Sequence, residues 1–291
     1  PSRGLGDVYK RQLYMCLAVG LFPFLNAAVK LLGENYAVQQ ILWVRYLGHF
    51  FLMLIIFLPF QGRALFSTRN LGAQSLRSLL LLGSTTSYFI ALNYLPLTTA
   101  ASISFTSPFI VTALSVPLLG ERVGPRRWTA VAIGFAGALI IIRPAGSSFH
   151  GAELFVVASA TFYSFYQIMT RRLAGRDSPG TTIIYTAVFG AILTSLVGPY
   201  YWVTPDGPIN WLLFAATGVF GGLGPLCVVK AFQWAEVSVI SPFVYLQLVG
   251  AVILGFFIFG EFPDLWTWVG SVIIVACGAY ITYRETVVTR T

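Results

Sequence analysis

From Leu13 onward the chain alternates long apolar tracts with short polar ones. Ten tracts approach the ~20 apolar residues a helix needs to cross a hydrocarbon layer of about 30 Å. They are 13–33, 38–60, 76–95, 98–119, 125–143, 151–172, 180–200, 210–234, 238–259 and 264–283. Apolar positions within them show little 3.6-residue periodicity, as expected for helices with lipid on one side and protein on the other. Outer-membrane strands alternate apolar and polar residues over about ten positions. Runs such as Leu79–Leu82 and Ile140–Ile142 do not. The pattern predicts an all-α integral membrane protein of ten transmembrane helices, with loops too short for a soluble domain.

Composition strengthens this reading. Of 291 residues 57% are hydrophobic and 10% charged, with a mean hydropathy of +0.78. Soluble domains carry about 25% charge, so the expected solvent is a lipid bilayer. The net charge of +8 could suggest nucleic acid, but its distribution argues otherwise. With the N-terminus in the cytoplasm, 14 of the 18 basic residues fall inside: Arg3, Lys10, Arg11, Arg63, Arg69, Arg77, Arg122, Arg126, Arg127, Arg171, Arg172, Arg176, Arg284 and Arg290. Arg143 falls outside, and Lys30, Arg45 and Lys230 lie within spans. This asymmetry is an orientation signal. It predicts both termini in the cytoplasm, with residues 284–291 as a tail and no nucleic-acid partner. The first twelve residues, PSRGLGDVYKRQ, differ in character from the apolar tract beginning at Leu13 and are read as a non-native leader. Cys16, Cys227 and Cys277 lie in apolar runs without CxxC or Cys/His spacing, which predicts small buried residues and no metal or disulfide. No nucleotide motif is present, and no cofactor is expected.

At an offset of 140 residues the chain repeats itself. Gly120–Glu121 falls on Gly260–Glu261 and Trp128 on Trp268, within eight identities over 51 positions between 91–141 and 231–281. Five spans per repeat is an odd number, so the halves 13–143 and 151–283 are expected to insert with opposite topology. Inverted repeats are the architecture of alternating-access transporters, with the site near midplane between the halves.

Two stretches carry a family resemblance: PFIVTALSVPLLGERVGPRRWTAVAIGFAGALII at 108–141 and PFVYLQLVGAVILGFFIFGEFPDLWTWVGSVIIVACGAYI at 242–281. In each, a span ends in Gly-Glu and a Trp leads into a Gly/Ala-rich final helix. Arg45 in LWVRYLGHFF also fits. The chain resembles the EamA-like branch of the drug/metabolite transporter superfamily over residues 13–283. The resemblance implies a multi-pass protein of the bacterial inner membrane, monomer or homodimer, that moves a small organic solute. Amino acids, vitamins, nucleotide-related compounds and drugs all fall within the family's range. The first span, FPFLNAAVKLL, is similar to a bacterial subgroup in which an acid commonly stands four residues before the Lys. Asn26 occupies that position here, and no proton-coupling role is carried over to it.

Charges at bilayer depth single out candidate chemistry, since each costs about 2.5–3.5 kcal/mol on insertion scales. Arg45 lies eight residues from its span's outer end with His49 one turn further on, and no acid at comparable depth. It can bind a carboxylate or phosphate on the solute, or hydrogen-bond carbonyls where helices break; the sequence leaves both open. Lys30 has Glu34 at i+4 and Lys230 has Glu236 beyond it, so each is explained by snorkelling with a surface pair or as an anion ligand. In the sixth span Ser159, Tyr163, Tyr166, Gln167 and Thr170 share a face; Thr85 and Tyr88, and Tyr245 and Gln247, have similar character. Singly these are interhelical glue. Together they predict an aromatic-lined cavity for an anionic or zwitterionic solute. Candidate solute-binding residues are therefore Asn26, Lys30, Arg45, His49, Tyr88, Tyr163, Tyr166, Gln167, Lys230, Tyr245 and Gln247. Pro23, Pro225 and Pro242 are candidate hinges, Pro108 stands at a further joint, and Gly218, Gly221, Gly222 and Gly224 serve either bending or close packing. Glu121 and Glu261, at opposite faces, suit helix termination or a gate. Two rival classes are an integral-membrane enzyme on lipid or isoprenoid substrates and a non-transporting sensor. The first would need an HExxH, a DDxxD or a phosphate loop, the second an appended output domain; the chain has neither.

Overall fold

The computed structural model describes residues 5–120, 123–144, 151–173, 176–234 and 245–288. Helices dominate: α1 Leu5–Gly33, α2 Val38–Gln61, α3 Leu71–Leu92, α4 Leu97–Ser104, α5 Ser107–Leu119, α6 Pro125–Ile142, α7 Ala152–Leu173, α8 Pro179–Ser195, α9 Gly207–Trp234, α10 Leu246–Phe259 and α11 Leu265–Val288. Short 3-10 turns follow α2 and α8. α1 begins at Leu5 and runs without a break through the tract read as a leader.

The fourth expected span is two helices. Pro108 has no N–H to give, and its ring collides with the carbonyl four residues back, so the first helix stops at Ser104. The Thr106 N–H and hydroxyl both donate to the Ile103 carbonyl, at 3.0 and 2.8 Å, closing the turn at the break. Pro23 and Pro225 behave differently: α1 and α9 continue through them. The ninth span is described from α10 onward. Pro242 and Glu121 lie outside the described residues.

Among the described residues four segments are long and apolar enough to cross a membrane: Val38–Phe66, Leu97–Leu119, Pro125–Ile142 and Gly207–Val228. Four more, including Val19–Gly33 and Leu265–Ile281, are apolar but shorter. α3 and α7 fall in neither group, and they pack on each other. Their polar positions therefore meet protein, with Ser84 and Ser159 hydroxyls 3.0 Å apart. Large apolar side chains such as Ile55, Phe60, Leu212 and Phe257 are exposed, as a lipid solvent requires.

The packing has the two-fold pattern that an internal repeat produces. α1 packs on α9 as α3 packs on α7, and α1 on α10 as α5 on α7. α2 meets α8, and α6 meets α11. Glycines set the close crossings. A Cβ on Gly48 would lie 2.7 Å from Gly218 Cα, so α2 and α9 touch backbone to backbone. Gly134, Gly137 and Gly278 likewise receive Phe109, Ile273 and Tyr245 side chains.

Two expectations need correction. Cys16, expected to be buried, is exposed on α1, and Cys227 and Cys277 are half-buried. Arg77, counted among cytoplasmic loop charges, lies inside α3 and is 3% exposed. The apolar run suggested a helix start at 76, but the helix starts at Leu71, because Gln74 and Arg77 find partners on the neighbouring elements. Removing Arg77 from the 14 inside residues leaves 13, so the charge asymmetry keeps its sign.

Candidate functional site

Arg45 and His49 lie one turn apart on α2, and both are buried. Among the described residues Arg45 Nε and Nη1 and both ring nitrogens of His49 have no hydrogen-bond partner. The guanidinium carbon sits 4.8 Å from the Tyr46 ring centroid and 5.5 Å from that of Phe89 on α3. Such faces stabilise a cation by about 0.5–2 kcal/mol, yet they leave its in-plane N–H groups unsatisfied. α9 supplies the opposite wall. A methyl on Gly221 would come 2.9 Å from Arg45 Nε, and one on Gly222 3.2 Å from His49 Cδ2. The glycines thus clear room for these two side chains.

The remaining candidates separate into other groups. Asn26 on α1 donates to the Tyr88 hydroxyl on α3 at a long 3.5 Å. Tyr46 donates to Thr85 at 3.4 Å, linking α2 to α3 beside Arg45. Tyr245 packs on Phe105 with centroids 5.2 Å apart, and its hydroxyl fills the gap at Gly278 on α11. Gln247 is half-buried on α10. The side chain of Lys230 lies outside the described residues.

Tyr166, with Tyr163 stacked on it, meets a cation that sequence reasoning missed. Arg77 Nε donates to Thr170 Oγ1 at 2.8 Å, and Nη1 donates to the Thr182 carbonyl at 3.0 Å and to Thr186 Oγ1 at 2.8 Å. Nη2 donates to the Tyr166 hydroxyl at 2.7 Å, and the same ring lies 4.6 Å below the guanidinium carbon. Tyr163 stacks on Tyr166 at 5.5 Å, and Gln167 Nε2 donates to Ser107 Oγ at 3.2 Å. The available signal was pairs at i and i+4, Tyr166 with Thr170 on α7 and Thr182 with Thr186 on α8. Only the tertiary fold shows that both face one arginine. Arg77 lies twelve residues before Phe89 on α3, roughly 18 Å along the axis at 1.5 Å per residue. The two arginines therefore mark separate places. A buried acid also escaped notice: Glu153, in the first turn of α7, is 5% exposed and its Oε2 has no partner among the described residues. Its position suits the positive end of the helix dipole.

Lys30 does not pair with Glu34, which is exposed. Its Nζ lies 2.5 Å from Glu261 Oε1 and donates to the Leu95 carbonyl at 2.8 Å. Glu261 Oε2 accepts from the Leu97 N–H at 3.3 Å, and the Phe259 ring lies 5.0 Å from the ammonium. Gly260, in the left-handed region at φ 66°, turns the chain after α10 so that Glu261 reaches back to α1. One carboxylate thus ties α1 and the start of α4 to the connection between α10 and α11. At the same end Arg143 and Asp264 pair at 2.5 Å, joining α6 to α11.

The fold and site define an all-helical, membrane-type bundle in which two halves enclose buried cations. The profile of the EamA-like transporter family matches residues 10–143 and again 150–284. The chain belongs to the EamA-like transporter family, within the drug/metabolite transporter superfamily. It is 33% identical to an S-adenosylmethionine uptake transporter of Rickettsia felis over 81% of each chain. It is 32% identical to a riboflavin transporter of Vibrio cholerae over 80% of each, and 27% identical to a pseudopaline exporter of Pseudomonas aeruginosa over 91% of this chain and 93% of that one. A solved crystal structure shares the fold, with a TM-score of 0.65 at 18% identity over 94% of this chain and 98% of its own.

Proposed function

We propose that this protein is a secondary transporter of a small organic metabolite, anionic or zwitterionic, in the bacterial inner membrane. The two five-helix halves, 13–143 and 151–283, are inverted repeats that rock against each other, with both termini in the cytoplasm. The observation that carries this reading is the Lys30–Glu261 pair. At one end of the bundle it joins the first half to the second, beside the Arg143–Asp264 pair, through side-chain contacts that can open and re-form. An ion pair partly exposed to water contributes only about 0–1 kcal/mol, which suits a latch better than a permanent weld. The relatives named for S-adenosylmethionine, riboflavin and pseudopaline support a metabolite-sized organic solute.

The test is flux into proteoliposomes of purified protein with a panel of metabolites that includes S-adenosylmethionine, riboflavin and amino acids. Saturable uptake of at least one solute without ATP is expected. Flux that appears only with ATP, or no flux of any member, overturns the reading.

A further inference from the structure

Buried polar groups are almost always hydrogen-bonded, and the two arginines of the core make the contrast plain. Arg77 has acceptors on Nε, Nη1 and Nη2. Arg45 is 7% exposed and His49 3% exposed, yet two nitrogens of the first and both of the second lack partners among the described residues. In each of its protonation states an imidazole carries at least one N–H donor. Donors held out of solvent on adjacent turns of one helix form half of a site whose other half is an acceptor.

The walls define what that acceptor is. Arg45 lies over the rings of Tyr46 and Phe89, which attract its charge but leave Nε and Nη1 without a hydrogen-bond acceptor. Gly221 and Gly222 present bare backbone to Arg45 and His49, with clearances too small for a methyl group. No described carboxylate pairs with Arg45; Glu261 pairs with Lys30 and Asp264 with Arg143. One uncompensated cation asks for one negative charge. A carboxylate supplies it with two acceptor oxygens, whereas a phosphate dianion would leave a surplus buried charge.

We infer that Arg45 and His49 form an oxyanion site for a carboxylate carried by the transported solute. This rests on the transporter reading and narrows it. S-adenosylmethionine bears a carboxylate and riboflavin does not, so the site favours solutes of the first chemistry.

Matched probes test it: S-adenosylmethionine against its decarboxylated analogue, methionine against its methyl ester, and riboflavin. Thermal stabilisation in detergent and proteoliposome flux are measured for the wild type, Arg45→Gln and Gly221→Ala. Loss of a charge-assisted hydrogen bond is expected to weaken binding roughly 10- to 100-fold, whether the carboxylate or Arg45 is removed. Gly221→Ala keeps the charge but pushes the guanidinium aside, and it is expected to lose carboxylate affinity while leaving the unliganded melting temperature within about 2 °C. Should Arg45→Gln not give monodisperse protein, Gly221→Ala decides. Equal binding of both members of a matched pair, no binding of any carboxylate-bearing probe, or equal binding by wild type and variants overturns the oxyanion site. Riboflavin flux with no carboxylate preference would sink this site and leave the transporter standing; absence of all flux sinks the transporter.

Discussion

Arg45 and Arg77 show how differently one residue type is used at depth. Each is a buried cation without a described acid, but Arg77 is met by hydroxyls, a carbonyl and a ring from α7 and α8, while Arg45 is met mainly by aromatic faces. The consequence is opposite behaviour on substitution. Arg77→Met strands Tyr166, Thr170 and Thr186 and is expected to destabilise the protein by about 2–4 kcal/mol, read as an earlier unfolding transition in detergent. Arg45→Met leaves no protein acceptor stranded, so its unliganded stability is expected to fall by less than that of Arg77→Met in the same scan. Reversal of that order would show that Arg45, not Arg77, is the structural cation. Gly48 provides the steric counterpart. Gly48→Val places atoms on the Gly218 backbone, and overpacking of this kind costs about 1–3 kcal/mol; the same scan measures it.

Among the elements, the connection after α10 is where an ion pair joins the packed halves. Glu261 was legible as a span end but not as the partner of Lys30, because 231 residues separate them. Charge reversal distinguishes a latch from a helix stop. Lys30→Glu and Glu261→Lys are each expected to lower the transport rate several-fold, and the double exchange to restore much of it. If the double exchange is as impaired as the singles, the pair is not a latch. The ends of α2, α6, α7 and α9 lie within three residues of the apolar pattern, while an end of α1, α3, α8 and α11 departs by five or more. α3 begins five residues before its apolar run because Asp177 accepts from Gln74 and the acceptors of α7 and α8 hold Arg77. The fourth span breaks at Ser104, where Pro108 stands four residues on.

For the whole molecule, orientation is the quantity most open to direct test. In a variant lacking Cys16, Cys227 and Cys277, single cysteines are introduced at Ser67 and at Thr204. A membrane-impermeant maleimide added to intact cells is expected to label position 204 and to reach position 67 only after the membrane is opened. The opposite pattern reverses the assigned topology.

The sequence by itself determined that this is a multi-span helical membrane protein with an internal repeat, and it marked Arg45 and His49. Hydrophobic length, charge asymmetry and the cost of a buried cation are properties of a segment or of single residues, so they can be read along the chain. The tertiary structure alone decided that Lys30 belongs to Glu261, that Tyr166 and the Tyr163 stacked on it belong to Arg77, and that Gly221 and Gly222 make room for Arg45 and His49. Hydrogen bonds and steric clearances extend only a few ångströms. Their partners come from helices distant in sequence, and which partners meet is fixed only when the helices pack.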